Sequence, residues 1–89
     1  MSSALEVRDA LPDDLGAIVT IERASFGDPW SEASFRSLLR APTTRFRVAT
    51  REGRVVGYAV TTRIGEEAEL ANLAVDPAMR RAGIGARLL

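Results

Sequence analysis

The 89-residue chain contains no cysteine and no histidine, and its twelve basic residues are all arginine. Without cysteine there is no disulfide framework, no thiol nucleophile and no thiolate metal site. Without histidine the usual acid and base of neutral pH is missing, and a zinc site is not expected. Without lysine the Walker pattern Gly-x-x-x-x-Gly-Lys-Ser/Thr is excluded. An excess of charge is lacking too. Twelve arginines balance twelve Asp plus Glu, which gives no case for nucleic acid or another polyanion as partner. No apolar run approaches the roughly 20 residues of a membrane span, and the start, Met-Ser-Ser-Ala-Leu-Glu, does not read as a signal peptide. The expectation is a cytoplasmic protein with no metal, no nucleic acid and no membrane partner. What is present is ordinary for a globular chain. Hydrophobic residues make up 46%, enough for one domain with a modest core, and there is no internal repeat or low-complexity segment.

Leu5-Glu6-Val7-Arg8 alternates apolar and charged residues, which predicts a short half-buried strand. Pro12 suits a first helical position, and Asp13 and Asp14 fall in the first turn, where the helix dipole favours carboxylates. Leu11 before them is a poor cap. Leu15, Ile18, Val19 and Glu22 recur at helical spacing and predict a helix over 12–24. Glu22 falls on the apolar face and is expected at its edge, with its carboxylate in water. Phe26-Gly27-Asp28-Pro29-Trp30 breaks that helix. Ser31 is a good N-cap for the next one, and Trp30 and Phe35 have hydrophobic-staple spacing. Phe35, Leu38 and Leu39 form its buried stripe, and Ala41-Pro42 ends it.

Residues 44–50 then alternate, with Phe46 and Val48 on one face and Arg45 and Arg47 on the other. A tight turn over 51–54 leads into 55–62, with Val56, Tyr58 and Val60 on one face and Gly57 and Ala59 on the other. The two runs read as a hairpin. A further turn at 64–67 precedes a strand over 68–75. That strand breaks the period of two, because Leu70 lies three residues before Leu73 while Leu73 and Val75 keep the alternation. Either it is buried on both faces, or a bulge within 71–74 resets the register. A bulge leaves backbone groups unpaired just upstream of the next motif, where an extended amide-bearing ligand can add as a strand.

That motif is Arg80-Arg81-Ala82-Gly83-Ile84-Gly85, between the strand end at Asp76-Pro77 and a helix-favouring tail. The first N–H groups of a helix lack partners within it, and glycines let a phosphate approach them. Two arginines add positive charge. The physical reading is a diphosphate cradle. The other reading is an ordinary strand-to-helix turn with two solvated arginines. The dinucleotide fingerprint is not met, since Leu88 stands where its third Gly is needed.

Arg/Gln-x-x-Gly-x-Gly/Ala resembles the acetyl-coenzyme A signature of the GCN5-related N-acetyltransferases, the GNAT superfamily. The order of elements before it, β-α-α-β-β-β-α, is similar to the first half of that fold. Phe26-Gly27-Asp28-Pro29-Trp30-Ser31 and Asn72-Leu73-Ala74-Val75-Asp76-Pro77 look most like the ribosomal-protein alanine (RimI-like) N-acetyltransferases. The resemblance implies an α/β (α+β) chain with a mixed, mainly antiparallel sheet. Residues 1–89 would form part of an N-acetyltransferase domain whose C-terminal half is absent, cut within the cofactor-binding helix.

It implies acetyl-CoA as cosubstrate and a primary amine as acceptor, here a protein or peptide N-terminal α-amine. The alternatives are a GNAT enzyme acting on Lys or a small amine, and a non-catalytic CoA-binding or assembly module. Leu73, Ala74 and Val75 would meet the pantetheine and thioester through their backbones. Arg80, Arg81, Ala82, Gly83, Ile84, Gly85 and Ala86 would hold the diphosphate. Phe26, Asp28 and Trp30 read either as a wall of the acceptor cleft or, for the two aromatics, as core. The family's proposed base and acid, a Glu and a Tyr, lie downstream of Leu89. Tyr58 reads as core, so no catalytic residue is assigned. The 89 residues alone are expected to be inactive and to pair with another chain or a further strand through the open edge of the last strand. They are expected to be either a truncated chain or a fragment completed by another polypeptide.

Overall fold

The computed structural model describes residues 4–80 and 83–89. Strand β1 (Leu5–Asp9) leads through a 3₁₀ turn (Pro12–Asp14) into α1 (Leu15–Ser25) and α2 (Glu32–Arg40). Strands β2 (Thr44–Arg51), β3 (Arg54–Ile64) and β4 (Glu67–Val75) follow, then a 3₁₀ turn (Pro77–Met79) and α3 (Ile84–Leu88). The strands form one sheet in the order β1-β2-β3-β4, and all three pairings are antiparallel. Order and strand direction agree with the expected first half of the fold.

Local chemistry sets the boundaries. Leu11 cannot cap a helix, and Asp14 compensates by reaching back, its Oδ2 accepting the Leu11 N–H at 2.7 Å. The Arg8 guanidinium grips the same carboxylate twice, at 2.8 and 2.9 Å, tying β1 to the start of α1. The Arg8 hydrogen bond holds the Asp14 carboxyl below the usual carboxylate range, outweighing the opposite push of burial. Ser31 caps α2 as expected, its Oγ accepting the Ser34 N–H at 3.1 Å. The Trp30 and Phe35 rings lie 5.5 Å apart, completing the staple. In the β2–β3 turn, Glu52 and Gly53 both have positive φ, 54° and 76°, the geometry that matches the twist of a two-residue hairpin.

One face of the sheet packs on α1 and α2. Phe46, Val48, Tyr58, Val60 and Ala74 meet Leu15, Ile18, Val19, Ile21 and Phe35 there. Phe35 is fully buried, within 5.8 Å of Phe46 and 5.5 Å of Tyr58 between ring centres. Truncating such a ring to alanine costs about 3–5 kcal/mol. The opposite face carries Ala49, Val56 and Ala59 under Ile84 and Leu88 of α3. Gly57 allows that close approach. A Cβ there would stand 3.2 Å from the Ala74 carbonyl oxygen and 3.3 Å from side-chain carbons of Ile84 and Leu88.

Two bulges set the faces. In β4, Val60 pairs with Asn72 and Thr61 with Leu70, so Ala71 is the extra residue. Leu70 and Leu73 thereby share a face, opposite Thr61 and Ala59, and the bulge falls within the expected 71–74. The second bulge was not expected. Ala49 pairs with Gly57 and Thr50 with Val55, leaving Val56 extra. Val56 therefore packs with Ala59 beneath α3 instead of sharing a face with Tyr58 and Val60. A bulge places two consecutive residues opposite one partner, and simple alternation misassigns the first of them.

Candidate active site

Strand β4 is at the edge of the described sheet, and its two halves differ. Ala74 is buried against α1 and α2, while Leu73 and Val75 are half-buried against the α3 cluster. With the side chains of 73–75 occupied by the core, the outer backbone edge is what this segment offers to a ligand. A groove of about 310 Å³ runs along it, lined by Ser25, Phe26, Leu73, Ala74, Val75 and Arg80. Arg80 closes one end, its Nε donating to the Val75 carbonyl at 3.2 Å and its Nη2 to Ser25 Oγ at 3.2 Å.

The cradle follows. The Asp76 N–H is anchored to the Val56 carbonyl at 2.8 Å, and Asp76 Oδ1 caps the 3₁₀ turn through the Ala78 N–H at 2.9 Å. Gly83 precedes α3 in the left-handed region, at φ 72° and ψ 14°, which glycine adopts without strain. Among the described residues, apart from its chain neighbour, no atom lies within 4 Å of where its Cβ would stand. Ile84 is buried beneath, Gly85 is half-buried beside Leu73, and Ala86 is exposed. These features fit an anionic group at the turn. Arg81 and Ala82 lie outside the described residues.

A second groove of about 310 Å³ adjoins the first. Glu22, Phe26, Gly27, Asp28, Trp30, Ala71 and Asn72 line it. Phe26, 40% exposed, lines both and forms the partition between them. Phe26 and Asp28 are exposed and Trp30 is half-buried, packed also on the main core. Phe26 and Asp28 thus line this groove, and Trp30 both lines it and packs on the core. A larger cavity of about 420 Å³, between Pro42–Arg45 and the β3–β4 turn, contains none of the candidate residues.

Glu22 corrects the sequence expectation. It is 1% exposed, not at a wet edge. Its Oε1 accepts from the Tyr58 hydroxyl and from Asn72 Nδ2 at 2.8 Å, and its Oε2 accepts the Trp30 N–H at 2.8 Å. A buried carboxylate is tolerable only with such compensation. Burial first, and the Glu22 carboxylate second, push the Tyr58 phenol well above its ordinary range. Tyr58 is fully buried, as expected of a core residue, and its hydroxyl proton points at Glu22. Glu22 and Asn72 were not among the expected site residues. The available signals were a carboxylate on an apolar helix face and an amide inside an apolar strand.

Among the described residues no three Asp, Glu, His or Cys gather as a metal site, and no helix is long and apolar enough to cross a membrane.

The sequence matches the acetyltransferase (GNAT) family over residues 15–89. It is 38% identical over 76 residues to the [ribosomal protein bS18]-alanine N-acetyltransferase of Escherichia coli K12, covering 85% of this chain and 51% of that enzyme. The crystal structure of the E. coli ribosomal-protein-S18-alanine N-acetyltransferase superposes with a TM-score of 0.85 at 32% identity, over 96% of this chain and 54% of that one. Ard1 from Thermoplasma volcanium gives 0.87 at 31% identity, over 96% and 58%. The PaiA N-acetyltransferase of Thermoplasma acidophilum, solved in complex with coenzyme A, shares the fold at 0.73 and 20% identity, over 96% and 67%. The chain spans about half the length of the curated relatives it matches.

Proposed function

Because the chain belongs to the acetyltransferase (GNAT) family, we propose that this protein transfers an acetyl group from acetyl-CoA to the α-amine of a protein or peptide N-terminus. Similarity to the ribosomal-protein alanine N-acetyltransferases supports this reading. The observation that carries the reading is the pair of grooves meeting at Phe26. One runs along the edge of Leu73–Val75 to Arg80, and the other carries the exposed Asp28 carboxylate and, among the described residues, no cation. An acidic groove suits an acceptor that arrives as an ammonium. A protein α-amine, with a pKa of roughly 8, retains a useful neutral fraction at pH 7. Residues 1–89 form part of one N-acetyltransferase domain in this reading, and a cytoplasmic location follows from the acceptor class.

Acetyl-CoA supplies an activated thioester. This chain's part is to bind and orient. The backbone of Leu73, Ala74 and Val75 receives the pantetheine arm as an added strand, and an N–H of that segment faces the oxygen on which charge develops. Arg80 to Ala86 hold the diphosphate. Phe26, Asp28 and Trp30 shape the acceptor side. The amine would form a C–N bond to the acetyl carbon, the C–S bond would break to release CoA as a thiolate that takes up a proton, and the amine proton would leave to solvent or to a base outside these residues. The outer edge of β4 is the place for a further strand or another chain.

Calorimetric titration of the full protein with acetyl-CoA tests the cofactor side. Gly83→Asp should abolish binding, because it strains the left-handed turn and puts a carboxylate where phosphate sits. Arg80→Ala should weaken binding less, by about 1–3 kcal/mol. Unchanged affinity for Gly83→Asp removes the diphosphate assignment. A panel of N-terminal peptides, a Lys-bearing peptide with a blocked N-terminus, and small amines tests the acceptor. Turnover confined to the last two moves the acceptor class. Binding of acetyl-CoA without turnover of any amine favours a non-catalytic CoA-binding module.

A further inference from the structure

The Glu22 carboxylate touches three separate pieces of the chain. Through Trp30 N–H it holds the loop that ends the acceptor-side wall. Through Asn72 Nδ2 it holds β4 at the residue that follows the Ala71 bulge and precedes Leu73. Through the Tyr58 hydroxyl it is fixed to the centre of β3, and Tyr58 in turn pairs with Ala74. Glu22 lines the acceptor-side groove itself, and its bond to Asn72 ties it to the strand that lines the other groove one residue further on. A core that needed only packing would be served by an apolar side chain of the same size, since a buried carboxylate gives weak net stability. A carboxylate with directed bonds does what packing does not: it fixes the distance between loop and strand.

We propose that Glu22 is a positioning residue that locks the acceptor-side loop 26–30 to the cofactor-side segment Asn72–Val75. It touches neither reactant in this account. It sets how the amine in one groove meets the thioester in the other. The kinetic consequence rests on the acetyl-transfer reading above, whereas the lock itself is a property of the fold and is tested separately.

Glu22→Gln keeps the shape but replaces one acceptor oxygen with an NH₂ donor, so all three donors can no longer be served. In the full protein, kcat should fall roughly 10- to 100-fold, as expected for a misplacement of about 1 Å. The KM for acceptor peptide should rise, while the affinity for acetyl-CoA, measured by calorimetry, should stay within about twofold. Trp30 is the single tryptophan of these 89 residues, and any tryptophan outside them is replaced by phenylalanine for the measurement. Its fluorescence should become more accessible to acrylamide, and the Trp30 amide should exchange faster with solvent. A purely structural role would lower the melting temperature and the active fraction but leave both substrate terms and the Trp30 signals unchanged in the folded protein. That result overturns the proposal. If Glu22→Gln does not fold, Asn72→Ala, which removes one donor and leaves the carboxylate with two, must give the same split in smaller measure. An Asn72→Ala protein with wild-type kinetics and wild-type Trp30 quenching also overturns it. If the wild type turns over no amine, the acetyl-transfer reading fails, and the Trp30 quenching and exchange measurements alone decide the lock.

Discussion

The two halves of β4 lie on one strand and meet different environments. From Glu67 to Ala71 every residue is exposed, whereas Asn72 to Val75 are all buried or half-buried. The boundary is the bulge at Ala71. The outer half is hairpin, held by its ladder to Thr61–Ile64, and its charged residues keep the edge soluble. The inner half is pinned from both faces and through Asn72 to Glu22, which leaves its backbone edge as a rigid surface. The bulge re-aims the strand between its exposed and its pinned half, while the ladder to β3 continues on both sides. Rigidity comes from the side chains of 72–75, and in the proposed function recognition comes from their backbone.

The largest effect should come from deleting Ala71. Its neighbours already have the partners of a regular ladder, Leu70 with Thr61 and Asn72 with Val60, so deletion keeps both faces and removes the bulge. The domain should still melt cooperatively, while turnover drops by about 100-fold, the scale of a displaced reacting pair. A deletion variant that turns over acetyl-CoA normally would erase the distinction between the two halves.

Alkaline titration should have a smaller effect and sharpen the same contrast. Tyr58 pairs with Ala74 in the inner half, and its phenol is raised above the ordinary value near 10 by burial and by Glu22. A raised folded pKa means that the folded state holds the proton longer than the unfolded one. The stability this contributes is complete below pH about 10 and is lost as pH climbs above it. Tyr58 is the only tyrosine of these 89 residues, and its assigned ring signals in NMR should show no phenolate above pH 10 until the chain unfolds. Ordinary titration in the folded protein would show that the inner half is open to water.

Much of this was legible from local pattern. The odd spacing of Leu70 and Leu73 pointed to the bulge, Ser31 and the Trp30–Phe35 spacing marked the start of α2, and Arg80-x-x-Gly83-x-Gly85 marked the family. Val56 was misassigned because Val55-Val56 are alike, so the bulge that separates their faces leaves no trace in hydrophobic spacing. Glu22 was misread for a different reason. Its partners lie 36 residues away at Tyr58 and 50 residues away at Asn72. A helix-face pattern reports which side is apolar, not whether that side offers donors. The compensation exists only once β3 and β4 are paired beneath α1.

The most direct measurement is a residue-resolved amide NMR titration of the full protein with acetyl-CoA. The account predicts shifts at Leu73, Ala74 and Val75 and around Gly83–Ala86, with Ala68, Glu69 and Leu70 unmoved on the same strand. Saturating acetyl-CoA that leaves the inner half unmoved, or that shifts the outer half equally, would contradict it.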